Sequence, residues 1–243
     1  TSFLIIIPHH FLINLIYICV KKMKYFVILS ITILSMVACK QKNVSLNQNY
    51  DKIFDSLYFD SVTEISFDTI ATGKIPSGWT SSVTGKNLPG KWEVVDDKER
   101  GKVMGQTSSQ SSGYLFNLLI INQQEIKDLA LSIEIKAVGG REDQGGGLVW
   151  RYQDADNYYL ACANPLESNL RLYKVINGNR KQLKSYNLPV TSNIWHNMAV
   201  IHKGNSIQCY FDGQLFIETM DSTITKEGKV GFWTKADAQT FFN

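Results

Sequence analysis

Apolar and polar side chains alternate over much of the chain, which is the pattern of half-buried β-strands. In the clearest case, residues 129–136, every second position is aliphatic: Leu129, Leu131, Ile133 and Ile135. Asn177-Gly178 and Asp212-Gly213 each follow such a segment and predict tight hairpin turns, because these residue types tolerate positive φ angles. A helical period is confined to residues 122–127, for which we predict a short helix.

Many short predicted strands, with turns at intervals of about 8–12 residues, are typical of a sandwich or a jelly roll. The sequence therefore predicts an all-β fold, a jelly-roll β-sandwich of two antiparallel sheets. Residues 154–157 (Asp-Ala-Asp-Asn) lie between two strand-like segments, so we interpret them as a turn, with a catalytic pair of carboxylates as the alternative.

Two apolar segments near the N-terminus have different predicted roles. Residues 1–22 are interrupted by a proline and two histidines, and we expect them to lie upstream of the natural start at Met23 and outside the fold. Residues 23–38 have the layout of a bacterial signal peptide, and their apolar run is shorter than the roughly 20 residues of a membrane-spanning helix. We predict lipidation of Cys39, with an uncleaved anchor or plain secretion as the alternatives.

The lipid would hold the protein on a membrane of the bacterial cell envelope, in the periplasm or at the cell surface. Residues 39–55 are polar and without periodicity, so we predict a tether there, followed by the sandwich over residues 56–243. The chain stops within a strand-like segment, and we expect the natural protein to continue beyond Asn243.

Charge and cysteine content narrow the range of partners. The net charge is +3, without a basic block or an acidic tail, so we do not expect nucleic acid as a partner; we expect a monomer. Cys162 and Cys209 lie in strand-like segments, where a cysteine can fill the place of a small apolar residue in the core. Buried free thiols are therefore favoured over a disulfide.

Residues 145–175 combine strand patterning with many aromatic, amide, guanidinium and carboxylate side chains. Aromatic faces cover sugar rings, and planar polar groups bind hydroxyls, so we predict a glycan or glycoside as the ligand. The candidate ligand-binding residues are Trp150, Tyr152, Tyr158, Tyr159, Asn164 and Trp233. Strict alternation predicts that Trp150 and Tyr152 share one face of their strand and that Arg151 lies on the other.

Several motifs are spread from about residue 67 to the end of the chain: Ile75-Pro76-Ser77-Gly78-Trp79, residues 147–159, Trp195-His196, residues 210–213 and residues 228–234. Together they resemble the concanavalin A-like lectin/glucanase superfamily, and within it the bacterial 3-keto-disaccharide hydrolase domains, relatives of family 16 glycoside hydrolases. The resemblance implies a concanavalin A-like jelly roll that cleaves or binds a carbohydrate. The Glu-x-Asp-x-x-Glu motif of family 16 is absent, which disfavours retaining hydrolysis of that type.

A 3-keto group acidifies the neighbouring C–H bond, so cleavage by elimination needs only one base and one group that stabilises the oxyanion. Glu167 or Asp237 is the candidate base, and Arg151 or Lys235 the candidate stabilising cation. A solvated loop carboxylate or a surface ion pair is the alternative role for each of these residues.

A metal site is less clearly indicated. His196 and His202 lie six residues apart on one predicted strand, about 20 Å apart, which is too far to share an ion. Ca²⁺ or another divalent cation bound by carboxylates and carbonyls remains open, although no loop has calcium-binding spacing.

Three hypotheses for the function remain open. The first is an exported, lipid-anchored enzyme that cleaves a glycosidic bond, with a 3-keto glycoside as a candidate substrate. The second is a lectin-like lipoprotein that binds a glycan without cleaving it. The third is an envelope protein whose sandwich binds another protein. Charged and aromatic side chains converging in one pocket would favour the enzyme.

Overall fold

The computed structural model of the protein describes residues 3–7, 61–86 and 90–243. These residues form sixteen strands in two antiparallel sheets and no helix. The first sheet contains β1 (Phe3–Ile7), β2 (Ser61–Ile65), β4 (Trp92–Asp97), β5 (Gly101–Gln106), β7 (Leu129–Gly139), β12 (His196–Lys203), β13 (Ser206–Phe211), β14 (Gln214–Met220) and β16 (Gln239–Phe242). The second sheet contains β3 (Trp79–Thr84), β6 (Phe116–Ile126), β8 (Gly146–Asp154), β9 (Asn157–Asn164), β10 (Asn169–Ile176), β11 (Asn179–Asn187) and β15 (Gly228–Lys235).

The order of strands is β14-β13-β12-β7-β16-β5-β4 in the first sheet and β11-β10-β9-β8-β15-β6-β3 in the second. The predicted sandwich of two antiparallel sheets is therefore confirmed. The predicted helix at residues 122–127 is wrong, because β6 continues to Ile126 and pairs there with Gly228 of β15. Cross-strand pairing in the sheet outweighs the weak local preference of this segment.

The first sheet includes β1, which belongs to residues 1–22, the segment that the sequence analysis placed outside the fold. The backbone of β1 pairs with β2 and also with β7, over Ala130–Ser132. Met23, Cys39, the signal peptide and the tether all lie outside the described residues. The described residues contain no helix of the length and apolarity that a membrane crossing requires.

The main core lies between the two sheets. The four aliphatic side chains of β7 point into it, as the alternation predicted. Phe232 of the second sheet and Phe242 of the first are stacked with ring centroids 4.7 Å apart, and their rings also contact Trp79 and Trp92 respectively. This aromatic contact joins the sheets at one end of the sandwich.

A second apolar cluster covers the other face of the second sheet, which we call the outer face. Its members are Phe116, Leu118, Ile120, Val149, Tyr158, Leu160, Cys162, Tyr173, Val175 and Trp233. Cys162 belongs to this outer cluster and Cys209 to the main core, so the second sheet separates these two free thiols of the described residues. The expectation of buried free thiols is confirmed.

The predicted turns are present. Asn177 and Gly178 have φ angles of 51° and 74°, and Asp212 and Gly213 have 45° and 83°. The segment 154–157 is also a turn, in which Asp154 accepts hydrogen bonds from the backbone of Asp156 and the side chain of Asn157.

Candidate functional site

A polar cleft opens on the outer face of the second sheet. It lies where the loop between β7 and β8, the turn between β9 and β10, and the end of β15 come together. The cleft is shallow and open to solvent, and the space in and above it, open solvent included, amounts to about 300 Å³. It is lined by Asp143, Gln144, Gly145, Gly146, Cys162, Ala163, Asn164, Glu167, Asn169, Arg171, Tyr173, Arg180, Trp233 and Lys235.

A buried ion pair occupies one side of the cleft. Lys235 Nζ lies 2.6 Å from Asp143 Oδ2, and Asn164 Nδ2 donates a hydrogen bond of 2.9 Å to Asp143 Oδ1. Burial raises the pKa of the Asp143 carboxyl group, although the ammonium of Lys235 acts against this. A carboxyl group with a raised pKa next to a cation in a cleft is typical of acid–base sites.

The loop that carries Asp143 is held in place by Asp237. The carboxylate of Asp237 accepts hydrogen bonds from the backbone N–H groups of residues 141, 142 and 143. Burial opposes ionisation of Asp237, but these three bonds outweigh it and lower its pKa. Gly145 lets the loop pass close to β9, since it has a φ of 102° and an added Cβ would lie 2.1 Å from the carbonyl oxygen of Ala163.

A second ion pair occupies the opposite side. Glu167 Oε2 lies 2.5 Å from Arg171 Nη1 and accepts a hydrogen bond of 3.1 Å from Asn169 Nδ2. Within the described part of the chain, Glu167 Oε1 has no partner. Asn169 Oδ1 and Arg171 Nε are buried without a partner as well. Two residues that line the cleft therefore carry a buried acceptor and a buried donor whose hydrogen-bonding capacity the described residues leave unused.

Arg180 extends from β11 into the same cleft. Its guanidinium lies over the rings of Tyr173, Phe116 and Trp233, at 4.4, 4.9 and 5.9 Å from their centroids. These contacts hold the cation against the outer cluster.

Cys162 lies at the floor of the cleft. Burial raises the pKa of its thiol to about 12, and the charges of Arg180, Asp143, Arg171 and Glu167 all act on it. The charged groups thus surround one point on the sheet, while the thiol itself stays protonated and poorly nucleophilic.

Four of the ten sequence-predicted site residues line this cleft, namely Glu167, Lys235, Asn164 and Trp233. Asp237 does not line it but positions the loop beneath Asp143. These four residues come from two different strand ends and a turn. Alternation along a single strand could not indicate that they lie close together.

The structure places Arg151, Trp150 and Tyr159 away from the cleft. Arg151 is fully buried, and its guanidinium donates hydrogen bonds to the carbonyl oxygens of Lys127, Ile224 and Gly204, at the opposite end of β7. It therefore joins three loops, and the expectation that it contacts the ligand is corrected.

Trp150 and Tyr159 are also fully buried, in the main core between the sheets. Trp150 Nε1 donates to His202 Nδ1 at 2.9 Å, and the Tyr159 hydroxyl donates to Asp221 Oδ1. Both residues stabilise the sandwich and present no face to a ligand.

Tyr152 and Tyr158 lie on the outer face but outside the cleft. The Tyr158 hydroxyl is buried against Thr84 Oγ1 at 2.8 Å, and burial raises its pKa. Tyr152 does not share a face with Trp150, because a β-bulge with Arg151 at a φ of 45° shifts the alternation by one residue. The Tyr152 hydroxyl contacts Ser82 instead.

The sequence analysis did not include five residues of the cleft among its candidates: Asp143, Asn169, Arg171, Tyr173 and Arg180. Alternation along β10 puts Arg171 and Tyr173 on one face, and this signal was available. Arg180 reaches the cleft from β11 because β11 pairs with β10. The hairpin turn at residues 177–178 predicts this pairing, but it does not predict how far the side chain of Arg180 extends.

Metal binding receives no direct support from the side-chain arrangement. Residues 61–86 and 90–243 contain no group of three or more His, Cys, Asp or Glu side chains placed to hold an ion. His196 Nδ1 is 2.8 Å from Asp212 Oδ2, whereas His202 is buried in the core, so the two do not converge. Ca²⁺ or another divalent cation, which the sequence left open, is therefore assigned to none of these residues.

Comparison with known structures defines the fold of the protein. The carbohydrate-binding module CBM66 from Bacillus subtilis is 24% identical, with a TM-score of 0.55 over 68% of this chain and 92% of that one. The β-glucanase of Bacillus licheniformis is 17% identical, with a TM-score of 0.50 over 72% and 96%. A family 16 endo-glucanase from Bacteroides ovatus is 9% identical, with a TM-score of 0.51 over 70% and 94%. The fold is the concanavalin A-like jelly roll.

The family is shown by the sequence itself. Residues 66–242 match the model of the 3-keto-alpha-glucoside-1,2-lyase-like domain, and the chain belongs to this family. No protein of curated function matches the chain.

Proposed function

We propose that the protein is an enzyme that cleaves the glycosidic bond of a 3-keto glycoside by elimination in the cleft. The observation that carries this proposal is the convergence of two carboxylate–cation pairs, Asp143–Lys235 and Glu167–Arg171, in one aromatic-lined cleft. Two such pairs at one sheet end supply a base and a cation for a developing oxyanion. The family and the fold support a carbohydrate as the substrate.

Glu167 is the general base in this proposal. Its Oε2 atom is held by Arg171 and Asn169, and its Oε1 atom is unoccupied within the described residues and close to solvent. Of the two bases that the sequence suggested, Asp237 is already engaged by three backbone N–H groups. Glu167 therefore has the free lone pair that proton abstraction requires.

In the reaction, Glu167 removes the proton from the sugar carbon between the keto group and the anomeric carbon. The electron pair of that C–H bond forms an enolate, whose oxygen accepts a hydrogen bond from the Lys235 ammonium. Collapse of the enolate restores the carbonyl group, forms a double bond to the anomeric carbon and breaks the glycosidic C–O bond. The leaving oxygen takes a proton from water, and Asp143 keeps the Lys235 ammonium in position throughout.

The second candidate function is glycan binding without cleavage. The buried Asn169 Oδ1 and Arg171 Nε atoms, both without a partner in the described part of the chain, suit the hydroxyl groups of a bound sugar whether or not a reaction follows. A non-catalytic module would need these contacts and not the free oxygen of Glu167.

The test is turnover of a panel of 3-keto glucosides and their parent glucosides, followed by mass spectrometry, with and without chelator. We expect cleavage of a 3-keto glucoside by the native protein and a loss of about 10²–10⁴-fold in Glu167→Gln. Glu218 is an exposed glutamate on β14 of the first sheet and does not line the cleft, so Glu218→Gln is the matched control and should behave as the native protein. Saturable binding of a substrate by the native protein without any cleavage would establish the binding module instead.

We also propose that the protein is exported and anchored to a membrane of the cell envelope through a lipid on Cys39. This proposal rests on the signal-peptide layout of residues 23–38. Metabolic labelling with a fatty-acid analogue in a bacterial host tests it, and Cys39→Ala should abolish the label.

A further inference from the structure

The cations of the cleft differ in how they are neutralised. Lys235 is paired with Asp143 at 2.6 Å, and Arg171 with Glu167 at 2.5 Å. Arg180 has no carboxylate within ion-pair distance among the described residues, and its side chain donates no hydrogen bond to them. The cleft therefore contains two neutral pairs and one uncompensated positive charge.

Aromatic rings, and not an anion, hold this charge in place. The guanidinium of Arg180 lies over Tyr173, Phe116 and Trp233, and the last two rings are also in contact with each other at 5.4 Å. The start of β11 is fixed as well, because the backbone N–H of Arg180 donates to the Tyr114 hydroxyl. A guanidinium that rests on ring faces keeps its in-plane N–H groups available to a ligand.

We propose that Arg180 binds an anionic substituent of the sugar, either a carboxylate or a sulfate, so that the cleft takes an acidic glycan. This inference rests on the proposed function in one respect, because both require that the cleft binds a carbohydrate. The planar N–H groups of arginine match the oxygens of both anions and bind them in a bidentate manner. Arg171 Nε, buried at the same cleft and without a partner in the described residues, supplies a further donor.

The carboxylates of the cleft do not oppose such a ligand strongly. Asp143 and Glu167 are each in contact with a cation and with a side-chain amide, from Asn164 and Asn169 respectively. An incoming anion therefore meets two compensated carboxylates and one free cation, and the net attraction is toward Arg180.

The test is calorimetric or NMR titration of the full chain with methyl glucuronide, glucose 6-sulfate and neutral methyl glucoside at low and moderate ionic strength. We expect at least one of the two acidic sugars to bind about tenfold or more tightly than the neutral one, with an advantage that shrinks as salt is added. The relative affinities of the glucuronide and the sulfate identify which anion the site takes.

Arg180→Gln should abolish this preference, and Arg180→Lys should retain part of it because the positive charge remains. Lys181→Gln removes the same charge at the neighbouring residue, which is exposed and does not line the cleft, and should leave the preference unchanged. Circular dichroism shows whether each variant is folded. If Arg180→Gln is unfolded, the preference for acidic sugars is compared between Arg180→Lys and the native protein instead.

Equal affinity for acidic and neutral sugars, no binding of either acidic sugar at millimolar concentration, or a preference that survives Arg180→Gln would each overturn the inference. Failure of the proposed reaction is a separate result. A native protein that cleaves neutral 3-keto glucosides without an acidic preference contradicts only the role of Arg180. A protein that prefers acidic sugars but cleaves nothing contradicts only the lyase proposal.

Discussion

Asp143 and Lys235 are separated by 92 residues in the chain, yet their side chains form a 2.6 Å ion pair at the end of the second sheet. The side chain of Asp143 is 8% exposed and that of Lys235 is 20% exposed, so water screens the pair only partly. The pair joins the loop after β7 to the end of β15, and it is therefore part of the framework of the cleft as well as of its proposed chemistry.

Removing the cation should destabilise the protein. In Lys235→Met the buried carboxyl group of Asp143 loses its counter-charge, and we expect the free energy of unfolding to fall by on the order of 3 kcal/mol. The double variant with Asp143→Asn should be less destabilised than the sum of the single variants, with a coupling energy of about 1–3 kcal/mol. Urea denaturation of the four proteins measures this, and additive changes would show that the two groups do not interact.

The pH dependence of Lys235→Met provides an independent check. Burial raises the pKa of Asp143, so the folded protein binds a proton more readily than the unfolded chain does. This contribution to stability is fully present below the unfolded pKa, about 3.9, and is lost as pH rises through the raised folded pKa. Because the pKa should rise further without Lys235, the deficit of the variant should be smaller at pH 4 than at pH 7.

Asp237 should act on the loop and not on the reaction. In Asp237→Asn the backbone N–H groups of residues 141–143 lose their charged acceptor, and we expect a loss of about 1–3 kcal/mol in stability. Because the folded pKa of Asp237 is lowered, its contribution is present above about pH 3.9 and is lost as pH falls through the folded value.

Amide hydrogen exchange locates this effect. The amides of residues 141–143 should exchange faster in Asp237→Asn, while those of β12, in the first sheet, should change only as far as global stability does. Unchanged exchange at residues 141–143 would mean that the loop is held by other contacts.

His202 should make the protein sensitive to mild acid. Burial, followed by the positive charge of Arg151, lowers the pKa of His202 to about 3. The unfolded chain takes up a proton near pH 6.5 and the folded protein does not, so stability is fully present above pH 6.5 and is lost as pH falls toward 3. The expected slope is up to about 1.4 kcal/mol for each pH unit in this window.

Replacement of this histidine isolates its contribution. His202→Asn keeps a polar acceptor for Trp150 Nε1 but does not titrate, so its stability should vary less between pH 5 and 6. His196 contributes little in that interval, because the bond to Asp212, opposed by burial, raises its pKa above 6.5. An unchanged slope in His202→Asn would mean that other groups cause the acid sensitivity.

The sequence predicted most of the fold because strand alternation and turn chemistry act over a few residues. The alternation of β7 and the positive φ angles of Asn177 and Gly178 were both predictable in this way. Alternation failed at Arg151, where a bulge shifts Tyr152 to the other face and the buried guanidinium donates to three carbonyl groups of distant loops. Local patterns contain no information on such contacts.

The cleft was predicted only in part for a similar reason. Glu167 and Asn164 are close in the sequence and both were candidates, and Lys235 was a candidate stabilising cation. Other features of the cleft depend on which loops the two sheets bring together. These features are the pairing of Lys235 with Asp143, the hydrogen bonds from the loop to Asp237, and the position of Arg180 over the aromatic rings. These contacts are set by sheet topology and not by the neighbours of each residue in the sequence.

The separation of Cys162 from Cys209 makes the sandwich suitable for labelling experiments. Cys162 lies in the outer cluster and Cys209 in the main core, and burial raises the pKa of both thiols, so neither reacts with alkylating agents while its surroundings remain closed. The alkylation rate at Cys162 therefore measures how often the cleft floor opens, and the rate at Cys209 measures how often the two sheets part. A ligand that binds in the cleft would slow the first rate before the second, so occupancy could be followed without any knowledge of the reaction.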